Sequence, residues 1–387
     1  MAIAGNKLIQ ENEEACFTSL YFHVPFCSKK CPYCHFYVLS SKQQSHTQYL
    51  DALIQEWKQK LPLLEGRTIY SLYFGGGTPS QLPPELYEKF FQEIFKSPLH
   101  FHKDLEITFE ANPEDLTLDY LKRLKKLPIN RLSLGVQSLH DETLKILDRQ
   151  HDAKKALFAI HSAFNVGFSN ISIDLMYDLP HQTISSWEFT LNTLKDLPIT
   201  HLSLYNLTIE PQTVFYKKKK LLEPFLPDEA KSLYLLNTAV ATLEDLGLKR
   251  YEISAFCKND LYSKHNVGYW LGREFHGYGP SAFSYFQKKR LRNVCHLKNY
   301  LSYMEKNSSA QDFEEELETE ASLRELLAIR LRLLEGVDLL NFPPFPEELE
   351  QTLGKLQKDG LIKQDEFTLS LTPKGFLFYD SVAEEII

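Results

Sequence analysis

Short apolar runs of β character alternate with stretches of helical periodicity through the first half of the chain. Six runs stand out: LYFHV (20–24), IYSLYF (69–74), LEITFEA (105–111), INRLSLGV (129–136), ISIDLMY (171–177) and HLSLYNL (201–207). Each is rich in β-branched and aromatic residues and bounded by Gly, Pro or Asn, the composition of a strand. Between them apolar residues recur every three or four positions. Leu50, Leu53, Ile54, Trp57 and Leu61 share one helical face, as do Leu86, Phe90, Phe91 and Ile94. Ser185 and Glu188 have the spacing of a capping box before the run ending at Leu197. Asp228 can cap a long helix that Gly247 would stop. Six strand–helix units in series predict an α/β fold with a parallel sheet, rolled into a partial (β/α)6 TIM-like barrel or left open.

After about residue 290 the pattern changes. EEELETEASLRELLAIRLRLLEGVDL reads as a helical segment with an acidic start. LGKLQKDGLIKQDEFTLSLTPKGFLFYD then reads as helix, turn, short hairpin and helix, the order of a small winged-helix-like module. The expected organisation is an N-terminal extension (1–17), a barrel (18–290) and a small C-terminal helical domain (291–387).

Composition narrows the function classes. The 387 residues are 43% hydrophobic and 24% charged, with a net charge of −8, which argues against a general nucleic-acid binder. The first residues lack the apolar stretch of a signal peptide, and no run approaches the ~18 apolar residues that span a membrane. The expected location is the cytoplasm. Lys217–Lys220 form a basic run, read as a solvated helix end, with a docking surface for an acidic partner as the alternative.

Of the six cysteines, Cys16, Cys257 and Cys295 are scattered, which is no disulfide framework. Cys27, Cys31 and Cys34 lie within eight residues, spaced C-x3-C-x2-C, just after the first predicted strand. Three thiolates so placed can hold three irons of a 4Fe-4S cluster and leave the fourth without a protein ligand. The alternative is structural zinc with His23 or His35 as fourth ligand. FGGGTPS (74–80) follows the second strand, where glycines let backbone approach a ligand closely. The next strand ends carry Glu110-Ala111-Asn112-Pro113, Gly135-Val136-Gln137-Ser138 and Asp174, with Arg149 in LDRQHD. Gathered at one barrel edge, such groups could hold a ribose diol, an amino-acid head group and an adenine.

The cysteine loop, GGGTP, EANP, LSLGVQS, IDLMYDLP and HLSLYNLTIEP together resemble the radical S-adenosylmethionine (SAM) enzymes. More narrowly they resemble the branch of oxygen-independent coproporphyrinogen III oxidases and HemW heme chaperones, from about residue 18 to 285 and less sharply beyond. The resemblance implies that Cys27, Cys31 and Cys34 hold the cluster, with SAM on its open iron. Tyr33 would sit against the adenine, and Gly76, Gly77 and Thr78 would border the methionine end. Gln137, Arg149 and Asp174 would contact SAM; Tyr21 and Glu110 match positions that serve SAM binding, including a second SAM. The implied chemistry is one-electron cleavage of the sulfonium to methionine and a 5′-deoxyadenosyl radical.

Two features separate the branches. Oxidases carry a fourth cysteine two positions after the last cluster cysteine, where this chain has Phe36, and a longer N-terminal segment. His265, Asn266 and Tyr269 in HNVGYW match the chaperones' H-N-x-x-Y motif, implicated in heme binding, and imidazole and phenolate are both axial ligands of heme iron. The alternative is a packed loop with His265 hydrogen-bonded and Tyr269 in the core. Position 35 is His where chaperones usually carry Asp. The expected function is a heme chaperone-like protein that binds a 4Fe-4S cluster, SAM and heme and delivers heme to recipient, respiratory proteins. A transient visit to a membrane fits such recipients. The alternatives are coproporphyrinogen III oxidation, another radical SAM reaction such as methylation, and a non-catalytic zinc module.

Overall fold

The computed structural model describes residues 17–41 and 46–387. The expected N-terminal extension (1–17) lies outside them, except for Phe17, which opens the first strand. Six parallel strands appear where the runs predicted them. They are β1 (Phe17–Val24), β2 (Thr68–Gly76), β3 (His100–Ala111), β4 (Arg131–Gln137), β5 (Ile171–Tyr177) and β6 (His201–Asn206), hydrogen-bonded in that order. Helical crossovers return the chain after each strand, so that neighbouring strands run parallel. The helices that make them include α1 (His46–Lys60), α2 (Pro84–Lys96), α3 (Leu118–Leu124), α4 (Ala153–Asn165) and α5 (Ile184–Thr193).

The predicted helical faces are the ones buried. Leu50, Leu53, Ile54 and Trp57 of α1 and Phe90, Phe91 and Ile94 of α2 sit in one continuous core with the outward side chains of the strands. At α5 the cap differs from expectation. Thr183, not Ser185, is the N-cap, and its box partner is Ser186, not Glu188. The register follows Trp187, which is buried and donates its indole N–H to the Leu235 carbonyl. Asp228 does cap α6 (Glu229–Asp245), and Gly247 stops it with φ +76°.

The sheet does not close. Antiparallel β7 (Ala255–Cys257) extends it past β6, and helix α7 (Lys264–Trp270) follows. At the other edge β8 (Phe275–Tyr278) pairs parallel with β1 and begins an antiparallel series. This continues through β9 (Phe283–Phe286), β10 (Lys289–Asn293) and β11 (Gln311–Glu316); with the two-residue strand Lys249–Arg250 beyond β7, the sheet has 12 strands, and its parallel centre is the partial (β/α)6 barrel.

The large unit runs beyond the expected boundary at 290. Residue 290 falls inside β10, β11 pairs with β10, and Val294, Leu297, Tyr300 and Met304 join the barrel core. The acidic stretch read as the start of a helix is strand β11, because β10 needs a partner at the sheet edge. A separate small core begins with α8 (Thr319–Arg330) and continues through α9 (Glu347–Lys358), β12 (Ile362–Gln364), β13 (Thr368–Leu371) and a terminal helix at Tyr379–Ile386. Helix, hairpin and helix thus occur in the predicted order.

The inward face of the barrel is polar, unlike the two-sided apolar strands of most parallel sheets. Register puts Ser19, Ser71 and Glu106 in one layer, Tyr21, Tyr73, Thr108 and Arg131 in the next, and Glu110 beside Ser133. Helix α7 plugs the lower end of this interior. The Glu106 carboxylate accepts from the backbone N–H groups of Lys264 (3.0 Å) and His265 (2.9 Å), neutralising the start of α7.

Candidate metal and cofactor site

The cysteine loop leaves the top of β1 and is clamped from below by the glycine turn. Gly77 N–H donates to the Val24 carbonyl (2.8 Å) and Thr78 N–H to that of Phe26 (2.7 Å). Approach this close requires glycine: a Cβ on Gly77 would lie 2.7 Å from the oxygens of both Val24 and Phe26. Gly76 has φ +102°, and a Cβ there would strike the His23 ring at 2.4 Å. The loop closes through a short parallel pair, Phe26–Cys27 with Leu39–Ser40. Cys34 N–H bonds back to the Cys31 carbonyl at 3.1 Å.

Cys27, Cys31 and Cys34 line a cavity of about 510 Å3 at the C-terminal edge of the strands. Its other walls come from β2 to β6, so the sheet is curled far enough for Gly76 and Tyr205 to face one space. Eight of the nine residues expected to contact SAM line it: Tyr33, Gly76, Gly77, Thr78, Glu110, Gln137, Arg149 and Asp174. The ninth, Tyr21, lines a neighbouring cavity and hydrogen-bonds His23 Nδ1 at 3.1 Å.

Arg149 organises the cavity. Its guanidinium donates to Asn112 Oδ1 (2.7 Å), to the Gly135 carbonyl (2.7 Å) and to Cys31 Sγ (3.4 Å). Asn112 in turn donates to Thr78 Oγ1 (3.2 Å), which lies 3.2 Å from Cys27 Sγ. One chain of hydrogen bonds therefore joins two of the three thiols to β3 and β4. Gln137 stands at the end of β4 with φ +66°, a strained backbone of the kind found at functional sites.

The carboxylates are displaced from their ordinary range. Burial, helped by the nearby Asp174, pushes Glu110 up to about 7, although Tyr73 donates to it at 2.6 Å. Burial likewise raises Asp174 to about 6, against a hydrogen bond from Ser203. Burial opposes ionisation of Glu114, but its hydrogen bond to His151 (2.8 Å) and the charge of Arg149 outweigh this and lower it. Burial pushes the Cys27 thiol up to about 12 and also raises Cys34. A bound metal would hold these thiols as thiolates.

The residues fit a cluster with an open iron. Three thiols share one wall, polar groups face them, and there is room for a ligand between. They fit single zinc less well. Among the described residues no three His, Cys, Asp or Glu side chains converge on one ion position. His23 has both ring nitrogens engaged, by Tyr21 and by the Tyr37 carbonyl (3.2 Å). Sequence reasoning overlooked Tyr73, Arg131 and Ser203, which carry the carboxylates. Their signal was present: polar residues at alternate positions of otherwise apolar strands.

The HNVGYW residues lie elsewhere. His265 is 1% exposed inside the barrel, with Nδ1 2.8 Å from Ser71 Oγ and Nε2 2.8 Å from Tyr269 Oη. Ser71 donates to Ser19, so it accepts from His265 Nδ1, leaving Nε2 to accept from Tyr269. Burial, together with Arg273 and Arg131, holds the imidazole neutral. Asn266 is partly buried on the same helix. This is the packed arrangement. The basic run, by contrast, is solvated as expected. It belongs to a strap whose Phe215 N–H donates to the Pro32 carbonyl of the cysteine loop at 2.9 Å.

Two family models match the chain: the radical SAM superfamily over residues 21–194 and the HemN C-terminal domain over 317–378. The second begins where β11 ends. The heme chaperone HemW of Bacillus subtilis is 34% identical, over 94% of this chain and 97% of its own. The oxygen-independent coproporphyrinogen III oxidase of Escherichia coli is 31% identical, over 94% of this chain and 84% of its own. The solved coproporphyrinogen III oxidase (HemN) of Escherichia coli superposes with a TM-score of 0.84 at 28% identity, covering 96% of this chain and 90% of that one. A match of this extent, through barrel and C-terminal module alike, means that the chain belongs to the radical SAM superfamily, within the family of the HemW proteins and the oxygen-independent coproporphyrinogen III oxidases.

Proposed function

We propose that this protein is a heme chaperone: it carries a 4Fe-4S cluster on Cys27, Cys31 and Cys34, binds SAM beside it, and binds heme for delivery to recipient proteins. The observation that carries the choice is Phe36. Where the oxidases bring a fourth cysteine, this chain has an aromatic ring, 52% exposed and stacked on His35 at 4.5 Å. That wall of the cluster loop offers an apolar surface and no thiol.

When bound, the cluster and SAM supply one-electron cleavage of the sulfonium. The chain's own residues prepare the site. Arg149 places positive charge against the Cys31 sulfur, and Thr78 hydrogen-bonds that of Cys27. Glu110 and Asp174 are poised near neutrality, so an arriving cation such as an amino group draws them to their ionised form. Gly76 and Gly77 leave backbone exposed at the cavity wall.

The expected recipients are respiratory heme proteins, met in the cytoplasm or at the membrane surface. Among the described residues no helix is long and apolar enough to cross a membrane.

Anaerobic reconstitution followed by parallel heme-binding and coproporphyrinogen assays tests the proposal. Heme should bind and be recovered unchanged after incubation with SAM and reductant. Vinyl products with substrate-dependent 5′-deoxyadenosine would replace this reading with the second one, the oxidase. What supports that second reading is the likeness to the Escherichia coli oxidase, which extends over 94% of this chain.

A further inference from the structure

Beside the cluster cavity lies a larger one, of about 770 Å3, well within the ~300–1,000 Å3 of small-molecule sites. One wall is the inward face of β1 and β8 to β10, and the opposite wall is α8 of the C-terminal module. Its surface is dominated by aromatic and aliphatic groups, among them Tyr269, Phe275, Phe283, Tyr285, Leu326 and Ile329. His35 and Phe36 line both cavities, so the two meet across the end of the cysteine loop.

A broad apolar space with aromatic walls suits a flat, largely apolar ring system. Its charged groups suit a ligand with peripheral carboxylates. Arg290 stands at the wall, already paired with Glu315 (3.0 Å) and with Glu325 of α8. A ligand carboxylate could take the place of Glu325 without leaving the guanidinium unpaired, one carboxylate for another.

An iron-bearing ring needs a lone pair as well, and the imidazoles at hand differ sharply. His23 and His265 each have both nitrogens engaged inside the fold. His35 has its ring stacked on Phe36 and, among the described residues, no hydrogen-bond partner. It is exposed at the junction of the cavities.

We propose that heme occupies this cavity, with His35 as its iron ligand and Arg290 holding a propionate in exchange for Glu325. Tyr269 forms part of the wall, and His265 supports Tyr269 from below. This rests on the heme-binding reading above and assigns it a place.

The test is titration of the reconstituted full chain with ferric heme and with iron-free protoporphyrin, followed by absorbance, fluorescence and electron paramagnetic resonance. H35A should lose the histidine-ligated heme spectrum and bind heme about tenfold or more weakly, yet bind protoporphyrin as wild type does. L326W, which fills the cavity, should block both ligands. Cluster absorbance should persist in both variants. If wild type binds heme and neither substitution alters spectrum or affinity, the assignment is overturned and heme binding stands. If wild type takes up no heme, the chaperone reading itself falls and this site with it.

Discussion

The two cavities that meet at His35 and Phe36 are built in opposite ways. The cluster cavity is made by strand ends and the loops directly after them, and its wall is polar and cross-linked through Arg149 and Asn112. The larger cavity adds to β1 and the end of the cysteine loop the late strands and α8, the last more than 280 residues further along the chain, and aromatic area replaces hydrogen bonds. A wall of directed hydrogen bonds can position one reacting group closely, whereas an apolar wall binds by area and tolerates release. The contrast fits the proposed chaperone, which would keep a cluster and pass on a ligand.

The contrast can be broken most directly at the thiols. C31A should reduce bound iron and sulfide to background, by metal and sulfide analysis, while protoporphyrin still binds. A parallel loss of porphyrin would show that the cavities are not independent. R149L comes next. It strips donors from Asn112, Gly135 and Cys31, and should cost about 2–4 kcal/mol in denaturant unfolding and weaken SAM about 10–100-fold. G77A pushes a methyl against two carbonyl oxygens and should cost about 1–3 kcal/mol, with reduced cluster loading.

The carboxylates give a pH signature confined to the polar cavity. Burial raises Glu110 to about 7 and Asp174 to about 6, so the ligand-free fold binds more protons than the unfolded chain does. The stability they contribute is full below the ordinary carboxylate range and is lost as pH rises through about 6 to 7. SAM, bringing cations, should bind more tightly over the same interval. In calorimetric titrations across pH, E110Q should flatten this rise, and porphyrin binding should not follow it. The smallest effect is a control: D228A removes the cap of α6 and should cost about 1 kcal/mol while changing neither cavity.

Much of the first cavity was legible because it is local. The C-x3-C-x2-C spacing, the glycine turn and the polar residue ending each strand all lie within a few positions of a strand that periodicity reveals. The errors were also local. Residues 183–188 offer two overlapping capping patterns, and the burial of Trp187 selects Thr183 over Ser185. The acid-rich stretch 311–316 favours helix or solvent on composition, yet pairing with Lys289, Arg290 and Arg292 turns it into strand β11. The expected boundary at 290 failed for that reason.

The sequence by itself therefore determined the parallel barrel, the three-thiol loop and the strand-end ring opposite it, because a side-chain period of two and the common edge of βα units carry each residue to a known side. Tertiary structure alone decided where Tyr21 looks, that both nitrogens of His265 are spent on Ser71 and Tyr269, and that an apolar cavity opens beside the cluster. Those outcomes depend on packing between segments far apart in the chain, as His265 against Ser71 and α8 opposite β1, and no local pattern encodes which donors and surfaces such packing leaves free.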